Sequence, residues 1–246
     1  MQDLKLEIQN ISSQILGVHF LSERQIYKLV EYFEFLKQEN KKKNLISRKS
    51  TDQDILNKHF VSSFLFVKWI LDLNNKMEVK KIIDLGTGGG FPGLICALSF
   101  PDIMFSFIDA SIKKVDFLYD ASSLMQLKNV DCLWGRIEDF WYAKALQNNF
   151  DIVTARALGT IPVTTKYAFP FLRKDGIFLT IKSDNQENEF QEAKRYVEQI
   201  GAEISFSQEE IDNSYMVFVK KLNQSEDSFL KKTNKKQMKS KKSKKK

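Results

Sequence analysis

Residues Lys81 to Gly93 read KIIDLGTGGGFPG, and this stretch decides the fold class. A short apolar run, Ile82-Ile83, ends in an acid, Asp84, and glycines then recur at every second position, Gly86, Gly88 and Gly90. A strand that closes on an acid and turns through glycines into a helix brings backbone N–H groups up to a bound ligand. A Cβ would block that approach, and such a turn is expected to visit φ > 0. Pro92 suits the first turn of the helix that follows, where a missing N–H costs nothing. A glycine-rich turn without a ligand is the plain alternative, and the density of glycines argues against it.

Two cofactors compete for the motif. Gly88, Gly90 and Gly93 also satisfy G-x-G-x-x-G, the dinucleotide fingerprint, which is weak on its own. Asp84 tips the balance. A carboxylate at the strand end can hold a cationic or amino-acid moiety and would repel a pyrophosphate, which favours S-adenosyl-L-methionine over a nicotinamide dinucleotide.

Outward from the glycines the chain alternates. Strands are expected at 81–85, 103–108, 130–134, 151–155 and 176–182, with helices near 92–99, 112–127, 162–172 and 187–200. Short apolar strands alternating with helical segments imply βαβ units and a parallel sheet. Two extended runs, Ile204–Ser207 and Tyr215–Lys220, add a terminal antiparallel hairpin. The fold class expected is therefore α/β, Rossmann-like, a mostly parallel sheet with a C-terminal hairpin and N-terminal helices. Before the sheet, residues 1–80 read as helical. Ser22-x-x-Gln25 is a capping-box pattern. Behind it Ile26, Leu29, Val30, Phe33 and Leu36 recur at helical spacing up to the run Lys41-Lys42-Lys43, which suits the negative end of a helix dipole. Leu56, Phe60, Phe64 and Val67 mark a further helix. Packing against the sheet or facing a partner are both open for this region.

Composition bounds the rest. The 246 residues suffice for one well-buried domain with an appendage, and 43% are hydrophobic, as in ordinary globular proteins. No apolar run reaches the ~20 residues that span a membrane, and the N-terminus has no secretory pattern. Cys96 and Cys132 lack metal or disulfide spacing and read as thiols of a reducing cytoplasm; His19 and His59 are isolated, so no metal is expected. The net charge of +7 is uneven. Residues 231–246 hold ten lysines and no acid, leaving 28 basic against 31 acidic residues in 1–230. The tail, 223–246, is expected to be disordered and either grips nucleic-acid phosphates or merely solubilises the chain.

In open α/β sheets ligands bind beyond the carboxyl ends of the strands, so the closing residues carry the chemistry. Asp84 and the glycine turn close the first strand. Asp109 closes the second, where an acid either accepts both hydroxyls of a ribose or caps the next helix. The third runs into Gly135-Arg136-Ile137-Glu138-Asp139, where the backbone of Ile137 and the carboxylate of Glu138 could meet an adenine edge, or Glu138 is a solvated turn acid. The fourth reads FDIVTARAL and closes on Arg156. The Asn/Asp-Pro-Pro-aromatic element of amine methylation is missing, and no Cys is near for cytosine C5 chemistry. An arginine fork suits a carboxylate, a phosphate or a guanine edge, or else pairs with a structural acid.

Assembled, these residues resemble the small-subunit rRNA methyltransferase G family (RsmG, also called GidB). DLGTGGGFPG at Asp84–Gly93 is similar to its D-[VIL]-G-T-G-x-G-[FL]-P-G signature, and Asp109–Leu118, Arg136–Glu138 and Asp151–Ala157 resemble its later elements. Asn44-Leu45, His59 with Ser63, and Lys182 resemble shorter ones. Ser62 stands where the family has Asp, Lys114 where it has Arg, and Ser183 where it has Gly. The resemblance implies transfer of a methyl group from S-adenosyl-L-methionine to N7 of a guanine in 16S rRNA. It implies 81–222 as the methyltransferase domain, with Gly86, Phe91, Ile137, Glu138 and Arg156 at the cofactor. Asp84, Gly88 and Asp109 join that set from the reading of the strand ends. The expected partner is 16S rRNA or the small ribosomal subunit, met by a cytoplasmic monomer with no membrane association. Guanine N7 is a lone-pair nucleophile, so no general base is assigned and Arg156 is given a positioning role. A methyltransferase for another RNA or a small molecule, and a nicotinamide-binding module, are the other readings.

Overall fold

The computed structural model describes residues 2–183 and 187–222. The lysine-rich tail at 223–246 lies outside the described residues. Among the described residues seven strands, β1 (Lys81–Leu85), β2 (Met104–Asp109), β3 (Val130–Trp134), β4 (Phe150–Ala155), β5 (Leu172–Lys182), β6 (Ala202–Gln208) and β7 (Tyr215–Lys221), form one sheet in the order β3-β2-β1-β4-β5-β7-β6. The first five run parallel; β7 slots between β5 and β6 and pairs antiparallel with both. Order reverses beside β1, which places its glycine turn at the topological switch point where such sheets take ligands.

Helices cover both faces. On one lie α1 (Gln2–Leu16), α2 (Glu23–Lys43), α3 (Asp52–Ile55), α4 (Val61–Lys76), α5 (Gly93–Ser99) and α6 (Ile112–Leu124). On the other lie α7 (Ile161–Ala168), α8 (Glu187–Gln199) and a 3-10 turn, Ile137–Phe140. Strand periodicity assigns the side chains: Ile82 faces the first set and Ile83 the second. The N-terminal helices share one core with the sheet, since Ile8, Phe33 and Phe64 join Ile82, Phe105 and Leu179 in a single buried cluster. Each fully buried Phe or Leu of this kind contributes about 1.5–3 kcal/mol. Packing against the sheet thus accounts for most of this region's apolar face.

Local chemistry sets the helix ends. Ser22 and Gln25 form the expected capping box, and Thr51 and Asp54 form a second. The helix expected over 162–172 stops at Ala168, because Pro170 cannot continue it and Leu172 already begins β5. That over 112–127 stops at Leu124, with Gln126 at φ 54° leaving the helical path. Between α3 and α4 the backbone widens into a π turn, Leu56–Phe60, where Val61 N–H bonds to Leu56 C=O. Distant pieces are tied by buried charge. Glu209, 2% exposed, accepts from Trp69 Nε1 at 2.5 Å and Lys68 Nζ at 2.8 Å, holding α4 to the β6–β7 loop.

Candidate active site

The carboxyl ends of β1 to β4 border an open cavity of about 360 Å³. Gly86 contributes from β1, Asp109 and Ala110 from β2, Ile137 and Glu138 from β3, and Arg156 and Leu158 from β4. A wider groove of about 730 Å³ runs along the edge strand β6, away from these strand ends.

The glycine turn is built as its sequence demands. Gly86, Gly88 and Gly90 have φ of 68°, 60° and 96°. At Gly86 a side chain would also meet Leu158 Cδ1, 2.9 Å from the Cβ position. At Gly93 a Cβ would lie 2.7 Å from Phe107 Cε1 and 2.9 Å from Asp84 Oδ2, so the last glycine of the signature serves packing. Asp109 fastens the turn: its Oδ2 accepts from Gly88 N–H at 3.0 Å and its Oδ1 from Ser111 N–H at 2.9 Å. The capping alternative for Asp109 survives only as that Ser111 bond, because Ser111, not Asp109, stands at the N-cap of α6. The buried Tyr32 hydroxyl of α2 donates to Gly89 C=O from the far side. Tyr32 was not singled out in the sequence, although it lies three residues beyond Leu29 on the same apolar stripe.

Asp84 occupies a different place from the one its sequence position suggested. Strand alternation turns it to the same face as Ile82, so it lies under the glycine turn and does not line the cavity. It is fully buried; Oδ1 accepts from Thr154 Oγ1 at 2.7 Å, and Oδ2 has no hydrogen-bond partner. Burial pushes its pKa up to about 7, with the Thr154 hydroxyl and the Arg156 charge opposing. Phe91 is likewise outside the cavity lining and 4% exposed, packed on Tyr32, His59 and Phe60. Gly88 lies in the turn beside the cavity, 3.9 Å from its Cβ position to Lys114 Nζ.

Arg156 is held by the N-terminal region. Its Nη1 donates to Lys58 C=O at 2.7 Å and to Ser62 Oγ at 2.6 Å, and its Nη2 bonds His59 Nδ1. All three partners lie on or beside the π turn, a distortion often found at functional sites. The imidazole stacks on Phe91 with ring centres 4.9 Å apart, and the guanidinium lies 5.5 Å from the same ring centre. Burial, with the charges of Arg156 and Lys58 beside it, pushes the His59 pKa down to about 3, so the ring is neutral and accepts the bond. Burial brings the Arg156 pKa down to about 10, leaving it charged near neutrality. Ser62 offers a hydroxyl where the resemblance led to an Asp.

The Tyr167 hydroxyl lies near Glu138, and its pKa is raised by burial and then by this carboxylate. Tyr167 and Leu158 line the cavity without a local sequence signal that marks them. Asp151, in the same sequence element as Arg156, acts at the opposite end of the sheet. It accepts from the N–H groups of Lys80 and Lys81 at 2.8 Å each and pairs with Arg173.

Comparison with known proteins bears on the fold and the family. The O-methyltransferase from Bacillus cereus in complex with SAH superposes with a TM-score of 0.52 at 16% identity, covering 78% of this chain and 91% of that one. TomG, an O-methyltransferase from Streptomyces achromogenes in complex with SAM, gives 0.52 at 13%, covering 78% and 90%. These likenesses establish the methyltransferase fold. In sequence, the ribosomal RNA small subunit methyltransferase G of Onion yellows phytoplasma is 37% identical over 180 residues, 73% of this chain and 82% of the relative. The protein of that name from Lactococcus lactis is 33% identical over 205 residues, 82% and 84%. The sequence profile described as GidB, rRNA small subunit methyltransferase G, matches residues 25–216. The nicotinamide reading of Gly88, Gly90 and Gly93 is thereby replaced, and the chain belongs to the rRNA small subunit methyltransferase G family, whose members are S-adenosylmethionine-dependent methyltransferases.

Proposed function

We propose that this protein transfers a methyl group from S-adenosyl-L-methionine to N7 of a guanine in 16S rRNA. The observation that carries the reading is the cavity itself. Gly86, Asp109, Ile137, Glu138 and Arg156, named from four different strand ends, line one space of about 360 Å³. That is within the usual size of a small-molecule site.

The residues present fit the cofactor. A carboxylate offers about four lone-pair positions. Asp109 uses one on each oxygen to hold the turn, leaving one on each for a pair of ribose hydroxyls. At Gly86 the bare backbone lines the cavity, and the absence of a Cβ leaves room for Leu158 Cδ1. The backbone of Ile137 and the carboxylate of Glu138 suit an adenine edge. S-adenosylmethionine supplies an electrophilic methyl group on a sulfonium. The chain's own part is alignment, since a lone-pair nucleophile needs no base to remove a proton before attack. Arg156, clamped by the π turn, orients groups at the acceptor side. Asp84 supports this from below by fixing Thr154, two residues before Arg156.

The partner in this reading is 16S rRNA or the small ribosomal subunit, met in the cytoplasm by a monomer. Residues 81–222 form the methyltransferase domain, with 1–80 as a helical region that completes it. No helix among the described residues is long and apolar enough to cross a membrane. The test is transfer of labelled methyl to small subunits lacking the modification, with mass analysis of the digested RNA. A single 7-methylguanosine in 16S rRNA supports the reading. Cofactor binding without transfer moves the search to another acceptor.

A further inference from the structure

The β4–α7 loop, residues 156–160, carries Arg156 and Leu158, and it is tied from outside the cavity. Glu189, on the first turn of α8, accepts from Ile161 N–H at 2.6 Å and pairs with Lys182 Nζ at 2.9 Å. Lys182, at the end of β5, donates to Gly159 C=O at 2.6 Å. Both charged side chains are mostly covered, 13% exposed for Glu189 and 16% for Lys182. Three elements thus meet on one carboxylate, and its bond from Ile161 and the bond of its partner Lys182 to Gly159 bracket the loop on either side of Thr160. The loop needs such a bracket. Ala157 sits at φ 54°, a conformation that costs an L residue energy and relaxes unless its neighbours fix it. From the bracket the contacts run inward: Gly159 is next to Leu158, and Leu158 Cδ1 packs on Gly86 in the space a Cβ would fill.

We infer that Glu189 is a positioning residue for methyl transfer. It does not line the cavity. Through Ile161, Lys182 and Gly159 it sets how far Leu158 stands over Gly86 and where Arg156 presents its guanidinium. The inference rests on the methyltransferase reading above and deepens it. A displacement of about 1 Å at a reacting centre can cost on the order of a hundredfold in rate.

The experiment uses the full chain with Glu189→Ala, Glu189→Gln and Lys182→Met. Steady-state methyl transfer to subunits is measured together with amide exchange over 156–161 and stabilisation by S-adenosylhomocysteine. In Glu189→Ala, kcat falls at least tenfold, KM for S-adenosylmethionine moves less than threefold, and exchange at Ile161 and its neighbours accelerates. Glu189→Gln keeps an acceptor for the Ile161 N–H and recovers part of the lost kcat. Lys182→Met releases only the Gly159 side and loses kcat with the Ile161 amide still protected. If Glu189→Ala does not fold, the other two variants decide. A kcat within twofold of wild type, or loop exchange unchanged in both Glu189 variants, overturns the inference. Wild-type protein that binds S-adenosylhomocysteine but methylates no RNA fails the function reading instead, and the exchange data then decide the bracket alone.

Discussion

His59 Nδ1 and Arg156 Nη2 are hydrogen-bonded across 97 residues of sequence. The bond joins a π turn between two N-terminal helices to the end of the fourth strand, so the helical region holds a residue of the site without itself lining the cavity. Because the buried imidazole is neutral, it is an acceptor for the guanidinium and no competing charge. Asn carries an oxygen close to the Nδ1 position and should keep the bond; Leu removes it. We expect His59→Leu to lower methyl transfer about tenfold and His59→Asn to stay within about threefold, on the scale of positioning effects. Arg156→Ala should be the most severe, near a hundredfold by the same comparison. Equal activity of the Leu and Asn variants in a transfer assay would refute the acceptor role.

Stability should depend on pH through two groups of opposite sign. The folded pKa of Asp84 is raised to about 7, so the folded state holds a proton that the unfolded chain has released. Its stabilising share is complete below the ordinary carboxylate pKa and is lost as pH rises through about 7. The folded pKa of His59 is depressed to about 3, so its share is complete above the ordinary imidazole pKa and is lost as pH falls toward about 3. Asp84→Asn, relative to wild type, should gain stability as pH rises from 4 to 7, roughly. His59→Asn should fall behind wild type as pH rises from 3 to 6.5, roughly. Denaturant melts at four pH values check both, and parallel curves for variant and wild type would rule out the assigned shifts.

Gly93→Ala should destabilise the fold. The added methyl meets Phe107 and Asp84, both fully buried, and neither is the end of a free side chain. Overpacking of this kind costs about 1–3 kcal/mol. Urea denaturation measures it, and a loss below ~0.5 kcal/mol, the range of an unconstrained surface change, would show that the core yields there.

Asp109→Asn keeps the size of the side chain and removes its charge. Losing a charge-assisted hydrogen bond costs about 1.5–3 kcal/mol, or ten- to a hundredfold in affinity. Titration calorimetry with S-adenosylhomocysteine should show that weakening. Unchanged affinity would leave Asp109 only its role in fastening Gly88 and Ser111.

Deleting 231–246 should flatten the salt dependence of RNA binding while leaving cofactor affinity intact. If about five of its lysines meet looped RNA, the log–log slope changes by roughly three to four. An unchanged slope would reduce the tail to a solubilising segment.

Much of the architecture was legible in local patterns. A strand's closing residue, a glycine turn and a capping box depend on neighbours within a few positions, and Ser22–Gln25, the strand ends and the terminal hairpin all stand where those patterns put them. Gly86, Asp109, Ile137, Glu138 and Arg156 were legible for the same reason: each closes or follows a strand, and parallel strands deliver those ends to one edge of the sheet. What the sequence could not decide was facing and partnership. Asp84 and Phe91 belong to the most telling stretch of the chain, yet packing turns both away from the cavity. Tyr32, His59 and Ser62 lie far along the chain from what they hold, and no local spacing ties Glu189 to the Ile161 N–H. Their roles come from how α2, the π turn and α8 dock on the sheet, and docking is set by side-chain packing over the whole core, which no local spacing records.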